Sequence, residues 1–76
     1  MEFEMNLLSA EEGKEYLVAG VDVGDDEEME SFLFSLGCYE GQPITVVSRL
    51  RSGCIVSIKD GRYSIDKQLM AAIEIK

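Results

Sequence analysis

Glu27–Gly41, EEMESFLFSLGCYEG, is the stretch that decides how this chain folds. Met29, Phe32, Leu33 and Leu36 stand at i, i+3, i+4 and i+7, the spacing of one apolar stripe on an α-helix. Gly37 follows the last of them, where a glycine ends a helix by entering the left-handed region. Cys38-Tyr39-Glu40-Gly41 is then a tight connection into a strand. Most of the remaining chain alternates with the two-residue period of strands, so this one helix must pack on a small sheet or barrel. The stripe places all four of its residues in the core.

Upstream of the stripe, five of the six residues Asp25–Glu30 are acidic. Asp25 or Asp26 is a good N-cap, and acids in the first turn suit the positive end of the helix dipole. The run reads either as capping and a solvated face or as a metal-binding or docking surface. Neighbouring carboxylates point in different directions around a helix, which favours the first reading.

Further back, Glu15–Val23 (EYLVAGVDV) is β-rich, with Leu17, Ala19, Val21 and Val23 on one face and Tyr16 and Val18 on the other. Gly20 within it predicts a bulge or sharp bend. Met5–Leu8 is a short first strand, and Met1–Met5 a ragged start. Ser9 and Glu12 have the spacing of a capping box, allowing one helical turn before Gly13.

Downstream, Gln42–Arg51 is a long strand with Ile44 and Val46 on one face and Ser48 and Leu50 as further candidates for it. Ser52-Gly53 is a two-residue turn, and Cys54–Lys59 a strand with Cys54, Val56 and Ile58 facing together. Asp60-Gly61 signals a hairpin into Arg62–Ile65. Asp66 caps a single helical turn, and Ala71–Lys76 closes the chain with Ile73 and Ile75 on one face. The expected fold is mainly β: a small SH3-like barrel of five to six short strands with one inserted helix, a single domain over residues 1–76. Closure would remove exposed strand edges.

The net charge of -8 is unevenly spread. Residues 1–40 carry twelve acids and one base, and residues 41–76 three acids and six bases. Nucleic acid is not an expected partner, because neutralising phosphates needs a dense basic patch. No stretch reaches the ~20 apolar residues that span a bilayer, so direct membrane insertion is not expected. The start, MEFEMNLL, lacks the basic region of a signal peptide, and a cytoplasmic protein with free thiols is the expectation.

The chain has no histidine, the commonest general base and metal ligand. Its two cysteines, Cys38 and Cys54, have fifteen residues between them and form no CxxC pair. Cys38 just follows a helix C-terminus, where the dipole disfavours a thiolate nucleophile. The segment Gly37–Gly41 follows a helix, whereas a phosphate cradle precedes one. No catalytic residue and no cofactor is expected, and the protein reads as a non-enzyme.

The order of these signals resembles the FeoA family, the small cytoplasmic proteins of bacterial ferrous-iron uptake. The carriers are Leu33, Leu36 and Gly37 at the helix end, then Gly41, Ile44 and Val46. Gly61, Ile65, Ala71, Ala72, Ile73 and Ile75 follow in the closing hairpin and strand. The chain departs from the family's usual pattern at Glu40, where a proline is common, and in its acidic helix, which is commonly basic near the leucines. The resemblance implies an SH3-like barrel that assists the membrane transporter FeoB, whose cytoplasmic portion holds a GTP-binding domain. It brings no catalytic residue and no assigned metal ligand.

The expected function is therefore a non-enzymatic adaptor in ferrous-iron uptake that binds the cytoplasmic part of FeoB. The candidate contact surface is Leu33, Phe34, Cys38 and Tyr39, with Arg49 and Arg51 as a charged rim. Two alternatives stay open: a generic SH3-like interaction module, and a metal-responsive domain using carboxylates and thiols. Small barrels also pair through free strand edges, so a homo-oligomer is a further expectation.

Overall fold

The computed structural model describes residues 5–76, so the reading of residues 1–4 lies outside the described residues. Six strands form one antiparallel sheet: β1 (Met5–Asn6), β2 (Glu15–Val21), β3 (Pro43–Leu50), β4 (Gly53–Ile58), β5 (Gly61–Asp66) and β6 (Ile73–Ile75). Their spatial order is β1-β6-β2-β3-β4-β5. Two helices interrupt them, α1 (Glu27–Leu36) and α2 (Lys67–Ala72).

The sheet folds over at β2. Glu15–Leu17 pair with β3, while Val18–Val21 pair with β6, and the register slips between Val18 and Gly20. The predicted interruption at Gly20 is thus a bulge, and it lets one strand serve both halves of the barrel. It also resets which side chains face inward. Tyr16 and Val18 are buried and Leu17 is exposed, whereas beyond the bulge Val21 and Val23 pack partly against the core. The common face expected for Leu17, Ala19, Val21 and Val23 does not exist, because alternation holds only within an unbroken stretch of strand.

A second bulge, between Val46 and Ser48, ends the inward run of β3 after Ile44 and Val46, so Ser48 is only half-buried and Leu50 is exposed. Strand β4 runs through the centre with Cys54, Val56 and Ile58 all buried, as the alternation predicts. The turns lie one residue earlier than the glycines suggest. Leu50 pairs with Gly53 across Arg51-Ser52, and Ile58 pairs with Gly61 across Lys59-Asp60. Gly53 and Gly61 are strand residues, and Lys59 itself takes the positive φ of 53°.

The first segment also differs from expectation. Strand pairing stops at Asn6, and Leu7–Ser9 form a 3-10 turn capped by Asn6, whose Oδ1 accepts from the Leu8 N–H at 2.9 Å. Glu12 forms no capping box with Ser9. Its Oε2 accepts instead from the Arg49 N–H at 2.8 Å.

Among the described residues no ladder joins β1 to β5, so hydrogen bonding does not close the barrel. The gap is filled by α2, which contacts β1, the 3-10 turn, β4 and β5. Met70 and Ala72 are its buried residues. Most of the remaining core is made of strand side chains, with Val18, Ile44, Val46, Cys54, Val56, Ile58 and Ile73 essentially inaccessible, joined by Leu7 from the 3-10 turn.

Helix α1 sits at the margin of this core. Of its stripe only Leu33 is fully buried, Met29 and Leu36 are partly buried, and Phe32 is 46% exposed. The spacing predicts a wholly internal stripe, and the structure seats only part of it. A small barrel offers a helix one row of contact, so the residue flanking that row stays in solvent.

Candidate interaction surface

The helix end is built by its own sequence. The Cys38 N–H donates to the Leu33 carbonyl at 3.1 Å and the Gly37 N–H to the Phe34 carbonyl at 3.0 Å. Together they form a Schellman cap, with Gly37 left-handed at φ 105°. In that cap the residue after the glycine packs apolar against the residue that receives its N–H. Cys38 and Leu33 fill those two places, and both are buried. Burial pushes the Cys38 thiol up to about 11, so it is no nucleophile at neutral pH. Burial raises the Cys54 thiol as well, partly countered by the nearby Arg49 guanidinium. Both cysteines are free.

The loop after the cap is strapped to the barrel. The Gly41 N–H donates to the Val18 carbonyl at 2.7 Å, and the Val18 N–H to the Gln42 carbonyl at 2.8 Å. On the outside of this fixed loop stands Tyr39, 45% exposed, with its ring centroid 5.8 Å from that of Phe34, which is 39% exposed. The Lys59 Nζ lies 5.0 Å from the Tyr39 ring centroid. This cation–π contact ties the helix end to the β4–β5 turn. Beside Lys59 a shallow depression of about 230 Å³ opens on the outer face of the sheet, lined also by Glu15, Pro43, Thr45 and Ser57. Phe34, Tyr39 and Lys59 thus form an aromatic and cationic ledge with a hollow at its foot.

Of the six residues expected to share a contact surface, the structure brings two together there, Phe34 and Tyr39. Leu33 and Cys38 are inside the protein and present no side chain to a partner. Arg49 lies six residues along β3 from Pro43, about 20 Å away at strand rise. There its guanidinium donates to the carbonyls of Ala10 and Leu8. It pins the segment before β2 and is not a rim to the ledge, and Arg51 occupies the exposed turn beyond it. Lys59 was missed. Its place beside Tyr39 has no local signal, since only the tertiary fold brings the β4–β5 turn to the helix end.

Among the described residues no three Asp, Glu or Cys side chains group together as a cation site. Among the described residues no helix is long and apolar enough to cross a membrane.

Comparison with known proteins supports the same fold. No curated protein sequence matches the chain significantly. A solved iron uptake regulatory protein, FeoA, aligns over 97% of both chains with a TM-score of 0.83 and 23% identity. FeoA of Stenotrophomonas maltophilia, solved with zinc and described as a prokaryotic SH3 domain protein, aligns over 95% of this chain and 89% of its own. Its TM-score is 0.84 and its identity 16%. The same barrel occurs within a manganese-dependent transcriptional repressor, at a TM-score of 0.84 and 19% identity, over 95% of this chain and 40% of that longer one. The structural agreement, at identities this low, establishes the SH3-like fold alone. The sequence model of the FeoA domain matches residues 5–76, nearly the whole chain, and the protein therefore belongs to the FeoA family, which is associated with ferrous-iron transport.

Proposed function

We propose that this protein is a non-catalytic accessory of ferrous-iron uptake that acts by binding the cytoplasmic part of the transporter FeoB. The observation that carries the reading is the ledge of Phe34 and Tyr39. Two large aromatic rings stand in solvent on a backbone fixed by a Schellman cap and by hydrogen bonds to β2. Rings held in this way lose little conformational freedom on binding, and aromatic anchors dominate the energetics of interfaces. Nothing in the ledge suggests chemistry. The nearest thiol is buried with its pKa raised, and no histidine exists to act as a base.

Pull-down with the transporter's cytoplasmic part tests the reading. Retention of the wild type in iron-poor or iron-replete buffer, and loss of retention in Phe34→Ala/Tyr39→Ala, is the expected result. An empty pull-down in both buffers would count against it. A second reading, a metal-responsive domain, draws on the zinc-bound relative and on the same barrel within a manganese-dependent repressor. Titration calorimetry with ferrous iron and zinc under reducing conditions separates the two, because only the second predicts saturable heat without a protein partner.

A further inference from the structure

On the flank of α1 opposite the ledge lies a second concavity. Phe32 and Phe34 are two residues apart, about 200° around the helix, so they look in nearly opposite directions. Phe32 faces a cleft of about 310 Å³ between α1 and α2, with Met29 and Leu69 as its other apolar walls. Asp26, Glu28, Asp66 and Gln68 complete the lining.

The two helices build this cleft by the same local device. Asp26 Oδ1 accepts from the Met29 N–H and Asp66 Oδ1 from the Leu69 N–H, each at 2.9 Å. Each cap therefore holds a carboxylate at the rim and sets an apolar side chain three residues on, in the wall below it. Phe32, one turn beyond Met29, adds a ring that is 46% exposed. Among the described residues none of the three rim carboxylates is in an ion pair. The two helix N-termini supply about +0.5 charge each at most, and less for the short α2, against three full negative charges. The cleft is apolar inside and anionic at its mouth.

We propose that this cleft docks a cationic amphipathic segment of a partner protein. One bulky apolar side chain of the segment lies among Met29, Phe32 and Leu69, and lysine or arginine residues beside it reach Asp26, Glu28 and Asp66. Charge complementarity selects this occupant. An acidic or neutral segment would bring its own charge, or none, to unpaired carboxylates, and an anionic lipid surface would be repelled. The proposal is independent of the ledge and of the identity of the transporter.

The test uses the full chain, isotopically labelled, and a synthetic helical peptide with leucine on one face and lysine on the other. Amide shifts should saturate at Glu28, Met29, Phe32 and Leu69, and binding should weaken as salt rises. Phe32→Ser and Glu28→Lys, both at exposed positions, should each weaken binding about tenfold or more, while Phe34→Ser changes it by less than about twofold. A scrambled peptide of the same composition should bind at least about tenfold more weakly. The proposal is overturned if the shifts map to Phe34 and Tyr39, or if Phe32→Ser binds like the wild type. It is equally overturned if the scrambled peptide binds as well, or if the cleft resonances respond only to protein self-association.

Discussion

Gly53 shows how closely single residues are fitted here. A Cβ at this position would stand 1.9 Å from the Ile65 carbonyl oxygen and 2.8 Å from the Asp66 Cα, both backbone atoms. Neither can move without breaking the β4–β5 ladder. Gly53→Ala should therefore destabilise the protein by about 2 kcal/mol or more, read as a lower urea midpoint. The sequence points to a turn at this glycine, but the requirement comes from a strand that passes over it, and no local pattern encodes that. Cys38 gives a second residue-scale outcome. Its folded thiol ionises at about 11 instead of 9.0, so between those values the unfolded chain releases its proton first. The stability that comes from keeping the thiol neutral is complete below pH 9 and is lost as pH rises toward 11. Wild-type stability should fall across that window more steeply than that of Cys38→Ala, measured by denaturant unfolding at each pH.

At the scale of elements, the sheet is firmly held and α1 is not. Only Leu33 fixes the helix deeply in the barrel, with Met29 and Leu36 as partial contacts. Leu33→Ala should cost about 2–5 kcal/mol, whereas Phe32→Ala, on the same predicted stripe, should stay within about 0.5 kcal/mol. Loss of the Asp26 cap in Asp26→Ala should cost about 1 kcal/mol. Native-state hydrogen exchange should find α1 amides exchanging well before those of β3 and β4, since a helix with one buried side chain opens without the core. Much of this was legible in the sequence: both Asp caps as candidates, the Gly37 stop, the Gly20 bulge, and the inward faces of β4 and β6. What was not legible depended on neighbours. The stripe records which face of α1 is apolar, but the width of the barrel decides how much of that face is covered. The burial of Cys38 was available in principle, because a residue following the capping glycine of a Schellman turn is expected to pack apolar.

Across the whole molecule, the two faces of α1 divide the surface chemically. One flank carries the aromatic ledge with Lys59, the other the anionic cleft shared with α2. Of the six residues expected to form a contact surface, only Phe34 and Tyr39 are exposed neighbours at the helix end. Those two do stand side by side, but the strand carries Arg49 to the far end of β3 and Arg51 into the turn beyond it, a separation that only the topology reveals. The helix around which the sequence pattern is centred is thus a peripheral element, and its peripheral position leaves Phe32 and Phe34 in solvent. The most direct test is an amide-shift titration of the labelled protein with the cytoplasmic part of FeoB. Saturable shifts are expected at Phe34, Tyr39 and Lys59, and they should vanish in Phe34→Ala/Tyr39→Ala while the variant stays folded. Saturable binding that leaves these residues unshifted and is undiminished in that variant would contradict it.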